Sequence, residues 1–192
     1  DHVREAYGLN DKASKDYGKQ CLTARRLIER GVRFVQVFAA CPSTPGGGVG
    51  DVPWDGHNDI NANHRACAAS VDKPTGALLT DLKQRGLLDD VLVIWGGEFG
   101  RTSDSQGAKG RDHNPHAYTT WMAGGGIKGG VSYGATDEFG YKAVDKKVSV
   151  HDIHATVLHL MGLDHENLTY RFNGRDFRLT DVAGKLITPI LA

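Results

Sequence analysis

The stretch Val91-Leu92-Val93-Ile94-Trp95-Gly96-Gly97-Glu98-Phe99-Gly100-Arg101-Thr102 decides how this chain reads. Its first five residues are all apolar and are bounded by Asp90 and Gly96. A short apolar run bounded in this way predicts a strand buried on both faces, as in a parallel sheet. The strand leads straight into a glycine-rich turn that carries one carboxylate, Glu98, and one guanidinium, Arg101. In α/β proteins reactive groups gather at the carboxyl ends of strands.

Outward from that strand, the pattern alternates between helix and strand. Residues 11–30 predict a helix, with Ala24, Leu27 and Ile28 at helical spacing and Gly31 as its C-terminal cap. Residues 33–38 are β-branched and aromatic and predict a short strand. Pro42, Pro45, Gly46 to Gly48 and Pro53 make residues 40–56 a loop. Residues 59–85 read as helical with a break at Pro74, where Asp72 caps a second helix whose apolar face is Ala77, Leu78, Leu79 and Leu82. A strand is expected at 118–123. A helix follows at 150–161, with Ile153, Val157, Leu160 and Met161 inward and Gly162 as cap. Asn173-Gly174, between Tyr170 and Phe177, signals a two-residue hairpin. The expected class is α/β, helices covering a mostly parallel sheet, in a single domain over residues 1–192.

Composition excludes several functions. The 192 residues hold 23 Lys+Arg and 23 Asp+Glu, a net charge of zero, which argues against a non-specific nucleic-acid binder. No apolar run approaches the roughly 18 residues of a membrane span. At 40 % hydrophobic residues the chain is too apolar for disorder. Glycine is in excess, and 19 of the 25 lie between Gly46 and Gly140, so the middle of the chain is rich in loops. Four of the nine histidines, His57, His64, His113 and His116, share that region. Oligomeric state cannot be read from these patterns.

Three polar clusters follow or precede the expected strands: Asp55-Gly56-His57 at the end of the long loop after Phe38, Glu98 to Arg101 directly after Trp95, and Arg111-Asp112-His113 just before the strand at 118–123. Each has a bland structural reading. Asp55 can make an Asx-turn. Glu98 can cap a helix or pair with Arg101, and Asp112-His113 can form a turn before a strand. Their joint position suits Asp55, His57, Glu98, Asp112 and His113 to a divalent ion, because mixed carboxylate and imidazole donors favour zinc, manganese or a similar metal. Arg101 is fork-shaped and always charged, a natural partner for a sulfate or phosphate oxyanion. His116 is placed to orient a ligand. His64, two helical turns after His57, could serve as a ligand but reads better as a helix-surface residue; His151 and His154 could reach the site but read better as partly buried, and His2, His159 and His165 read as surface or capping residues. Cys21, Cys41 and Cys67 form no metal motif. They read as thiols, with a Cys41–Cys67 pairing left open.

The motifs WDGHND (54–59) and DKPTGALLTDLKQRGLLDDVLVIWGGEFGRT (72–102) resemble the alkaline-phosphatase and sulfatase superfamily. Residues 146–165, KKVSVHDIHATVLHLMGLDH, are similar to a sulfatase helix pattern, with Asp152, Thr156 and Gly162 in matching places. More narrowly, GGEFGRT, GRDHNP and AGGGIKGG resemble domain-of-unknown-function family 1501, which is placed in that superfamily. The resemblance implies a three-layer α/β/α sandwich with a divalent metal site (Zn, Mn or Ca). It also implies export to the periplasm or beyond, and chemistry on sulfate or phosphate esters of small molecules. It departs from the superfamily in two ways. Glu98 stands where an Asp-His pair is usual, and no segment here matches the first strand with its metal-binding Asp and nucleophile. The chain therefore reads as the C-terminal portion of such a domain.

Two functions follow as expectations. The first is a metal-dependent hydrolase in which Asp55, His57, Glu98 and His113 bind metal and Asp112 is a further ligand or orients one. Arg101 then stabilises the oxyanion, with Thr102 and Ser103 as candidate local nucleophiles. The second is a catalytically degenerate binding or surface-associated module of the same fold. A phosphotransfer enzyme of the cofactor-independent phosphoglycerate mutase type would need two metal sites and more His/Asp pairs than the chain offers.

Overall fold

A computed structural model describes residues 2–39 and 52–192. Of the loop expected over 40–56, residues 40–51, including Cys41, lie outside the described residues. The chain forms two compact units. The first comprises the described residues up to Leu88 together with Phe99–Pro115; the second comprises Asp89–Glu98 and His116–Ala192.

The first unit is built on helices α1 (His2–Ala6), α2 (Lys15–Glu29) and α3 (Ile60–Gln84). Helix α2 starts four residues later than the sequence suggests, because Asp11 closes a turn first. Its carboxylate accepts from the Ala13 amide and its carbonyl from the Lys15 amide. Helix α3 begins at Asp59, whose side chain accepts from the Ala62 amide as an N-cap. It then runs unbroken through Pro74, where the sequence suggested two helices. An interior proline costs about 3 kcal/mol. Here Pro74 is itself fully buried, as are Cys67, Ser70 and Leu82 on the same helix, and that packing offsets the lost hydrogen bond.

Tyr7, Tyr17, Cys21, Leu22 and Val71 form the core of this unit, with Val37, Trp54, Ala77 and Leu78 against it. Cys21 is a buried helix residue as expected, and burial raises its thiol pKa to about 11. The helices are also tied by charge. Asp81 on α3 accepts from Tyr7 Oη at 2.8 Å and Arg25 Nε at 2.9 Å, and Arg25 and Arg85 both reach Glu29. Residues 33–38 form no strand, contrary to expectation. Their composition favours extended backbone, but a strand needs a neighbour, and Phe34 and Phe38 stand exposed.

Two short strands complete the unit, β2 (Gly100–Arg101) and β3 (His113–Asn114), paired antiparallel with Arg101 opposite His113.

In the second unit, β1 (Val93–Trp95) pairs with β4 (Trp121–Ala123). Of the apolar run 91–95 only Val93–Trp95 is strand, antiparallel and with Ile94 44 % exposed, where the sequence suggested a parallel strand buried on both faces. Trp95 and Trp121 stack across the pair at 6.2 Å. Strands β5 (Ala135–Thr136) and β6 (Ala143–Asp145) form a second antiparallel pair. Helix α4 (Val150–Leu160) starts with a capping box between Ser149 and Asp152. The other Asp152 oxygen accepts from the Lys185 amide and Thr156 Oγ1 from the Ile187 amide, which straps the C-terminal segment to α4. Ala155 and Thr156 are its buried residues, and Met161 is exposed rather than inward. Strands β7 (Thr169–Phe172) and β8 (Arg175–Arg178) make the expected hairpin, with Asn173 at φ 48° and Gly174 at φ 79°. Positive φ at both central residues is the geometry that Asn-Gly supplies.

The chain therefore mixes helices with small antiparallel strand pairs. The mostly parallel sheet of a three-layer sandwich is not seen among the described residues: every pair there is antiparallel and two-stranded. The apolar runs name strands but not their neighbours. No helix among these residues is long and apolar enough to cross a membrane.

Candidate metal centre

The segment before α3 carries Asp55 and His57. Its conformation is set from several sides. Trp54 has a left-handed backbone at φ 64°, unusual for a bulky residue. Its amide donates to Cys67 Sγ, and its carbonyl accepts from Arg101 Nη2 at 2.9 Å. The Gly56 carbonyl accepts from the Arg111 amide, and the Ile60 amide donates to the Lys109 carbonyl. Gly110 lies so close to His57 that an added Cβ would fall 1.6 Å from the His57 carbonyl oxygen. Only glycine fits there. The strand pair β2–β3 brings in Arg101 and His113, whose side chains share a face because they stand directly opposite each other.

These contacts converge on one carboxylate oxygen. Asp55 Oδ1 lies 2.9 Å from His57 Nε2, 3.3 Å from His113 Nε2 and 2.9 Å from Arg101 Nη2. The two Nε2 atoms are 3.0 Å apart. Asp55, His57 and His113 are the candidate metal-binding triad among the described residues. Three ligands at about 2.0–2.1 Å from a tetrahedral ion sit about 3.4 Å from one another. The observed separations are close to that, so the donors fit a small divalent ion with little movement.

Arg101 supplies positive charge at the same point. Its Nη1 lies 3.4 Å from His57 Nε2 and donates to the Arg111 carbonyl at 3.3 Å. Burial pushes the Asp55 carboxyl upward, but hydrogen bonds from Arg101 and His113, with the positive charge around it, outweigh this and hold it below its ordinary value. Phe99 stacks on the His113 ring at 4.0 Å and lies under the Arg101 guanidinium at 5.6 Å.

The remaining residues that the sequence singled out are placed as follows. The Asp112 carboxylate accepts from the His113 amide at 2.7 Å and is not part of the triad. Glu98 and His116 belong to the second unit. Thr102 Oγ1 is engaged on both sides, donating to the Asp104 carbonyl and accepting from the Asp112 amide. His64 lies 3.3 Å from the Trp54 carbonyl, and burial first, then the nearby Arg101 charge, lowers its pKa. His151 and His154 are exposed on α4. His165, expected at the surface, is buried with Nδ1 at 2.9 Å from Thr180 Oγ1. Cys67 is buried, in contact with Trp54 and Asn63.

Two residues at the site give no sequence signal. Gln106 Oε1 lies 2.5 Å from His57 Nδ1, yet it sits in a polar run without periodicity. Trp54 acts through its backbone, which its side-chain type does not announce.

A family model described as a protein of unknown function, DUF1501, matches residues 1–191. The chain belongs to that family. No curated protein and no solved structure matches it.

Proposed function

We propose that this chain carries a divalent-metal centre on Asp55, His57 and His113 and belongs to a hydrolase of sulfate or phosphate esters. The convergence of one carboxylate oxygen and two imidazole nitrogens within 2.9–3.3 Å of one another carries this reading. Two nitrogens and one oxygen suit zinc or manganese better than calcium, which takes six to eight oxygens. When bound, the metal supplies Lewis acidity toward an ester oxygen. Asp55 provides the charge that holds a cation. Phe99 packs on His113 and keeps its ring in place. Arg101 serves as the partner of the non-bridging oxyanion. Kinship with the alkaline-phosphatase and sulfatase superfamily, its three-layer sandwich and export are parts of the same proposal.

One observation favours a second reading, a metal-loaded binding module. The Thr102 hydroxyl, the sequence's nearest candidate nucleophile, is committed to backbone groups on both sides. Turnover separates the two. The hydrolase reading predicts release of the phenol from aryl sulfates or aryl phosphates by the full-length protein with zinc or manganese, and loss of that activity in His113→Ala. Stoichiometric metal with no turnover of either substrate class would support the binding module instead.

A further inference from the structure

Gln106 stands outside every motif of the sequence, and its side chain meets His57 on the ring nitrogen that faces away from the triad. We propose that Gln106 is a positioning residue that keeps the proton of His57 on Nδ1 and so leaves Nε2 as the electron-pair donor of the metal centre. The inference rests on the metal reading above for its consequence, but not for its geometry.

Gln106 is held from its backbone. Its amide donates to the Gly110 carbonyl at 2.9 Å, and the Gly110 amide returns a bond to the Gln106 carbonyl at 3.2 Å. Gly110 in turn packs directly on the His57 carbonyl. The loop that carries Gln106 is therefore anchored to the residue its side chain touches. From there Oε1 lies 2.5 Å from His57 Nδ1. With its oxygen turned to the ring the carboxamide accepts, and this arrangement assigns the proton to Nδ1. A neutral imidazole with its proton on Nδ1 turns a lone pair outward at Nε2. That lone pair lies 2.9 Å from Asp55 Oδ1, itself an acceptor. Two acceptors facing each other this closely repel unless a positive centre stands beside them; without metal that centre is Arg101, whose Nη2 donates to Asp55 Oδ1 at 2.9 Å and whose Nη1 lies 3.4 Å from His57 Nε2. Without the Gln106 bond, the same ring gains by moving its proton to Nε2 and donating to Asp55, which blocks the metal position. Gln106 thus biases His57 against its easiest metal-free state.

Nitrogen-resolved NMR at pH 8, with zinc titration of the same samples, tests this. In the metal-free wild type, His57 carries its proton on Nδ1. In Gln106→Ala the proton moves to Nε2 and zinc affinity falls about 10- to 100-fold, the range for loss of an outer partner of a metal-binding histidine. Gln106→Glu keeps the Nδ1 proton and binds zinc within a few-fold of wild type. Gln106 is exposed, so its substitution leaves folding intact. An unprotonated Nδ1 in the wild type, an unchanged proton position in Gln106→Ala, or unchanged zinc affinity in that variant each overturns the proposal. If the wild type binds no zinc, the metal reading fails, and the proton position alone decides the role of Gln106.

Discussion

His57 and His113 are 56 residues apart in sequence, and their Nε2 atoms face each other at 3.0 Å. Two imidazoles meeting nitrogen to nitrogen beside a carboxylate make a poor structural contact: they share one good hydrogen bond at most. They make a good pair of ligands. Three segments fix this relationship: the loop before α3 with Trp54 in its left-handed backbone, the β2–β3 pair, and the 106–110 loop.

Arg101 neutralises Asp55 in the absence of metal. Arg101→Ala should therefore destabilise the metal-free protein by about 1–2 kcal/mol, the scale of a partly exposed charged hydrogen bond. Saturating zinc should narrow that deficit, because the ion places positive charge beside the same carboxylate. Thermal melts of both proteins with and without zinc measure it. Equal deficits in the two conditions would count against the shared position.

Gly110 and Gly76 should respond in opposite ways to alanine. At Gly110 the new methyl would meet the His57 carbonyl, and relieving the clash should cost about 1–3 kcal/mol and weaken zinc binding. Gly76 lies inside α3 with no atom near its added Cβ, so alanine there should stabilise by about 0.5–1 kcal/mol. Urea denaturation of the two variants gives both signs.

The Asp81 cluster sets an acid limit. Burial raises the Asp81 carboxyl, but bonds from Tyr7 and Arg85 and the charges of Arg25 and Arg85 hold it below its ordinary value. A depressed folded pKa means stability that is fully present above the ordinary carboxylate pKa of about 3.9 and is lost as pH falls through the lower folded value. Asp81→Asn should thus be less stable than wild type at pH 7, and the gap should close as pH falls through the lowered folded value. A gap that persists unchanged into acid would show that the charge contributes nothing.

Sequence alone exposed those parts of the site that chain neighbours announce. Arg101 and His113 are polar residues close to the apolar runs at 91–95 and 118–123, and Asp55 and His57 were marked as the end of the loop that follows residues 33–38, although those residues form no strand. The Asn173-Gly174 hairpin was equally legible, since the turn needs only two residues. Pairing was not. Residues 33–38 have strand composition and form no strand, and the apolar run at 91–95 carried no sign that its neighbour runs antiparallel. Proline signalled a break in α3 that burial on both sides of Pro74 removed. Gln106 was illegible for the same reason as the strand partners: its role depends on a loop closure that brings it beside a residue 49 positions away.

The most direct test is calorimetric titration of zinc into the wild-type protein, His57→Ala and His113→Ala, with elemental analysis of each. One zinc per chain is expected in the wild type, with affinity reduced at least a hundredfold in both variants, each of which removes one of the three protein donors. Zinc binding that is the same in all three proteins, or absent from a folded wild type, would contradict the metal centre.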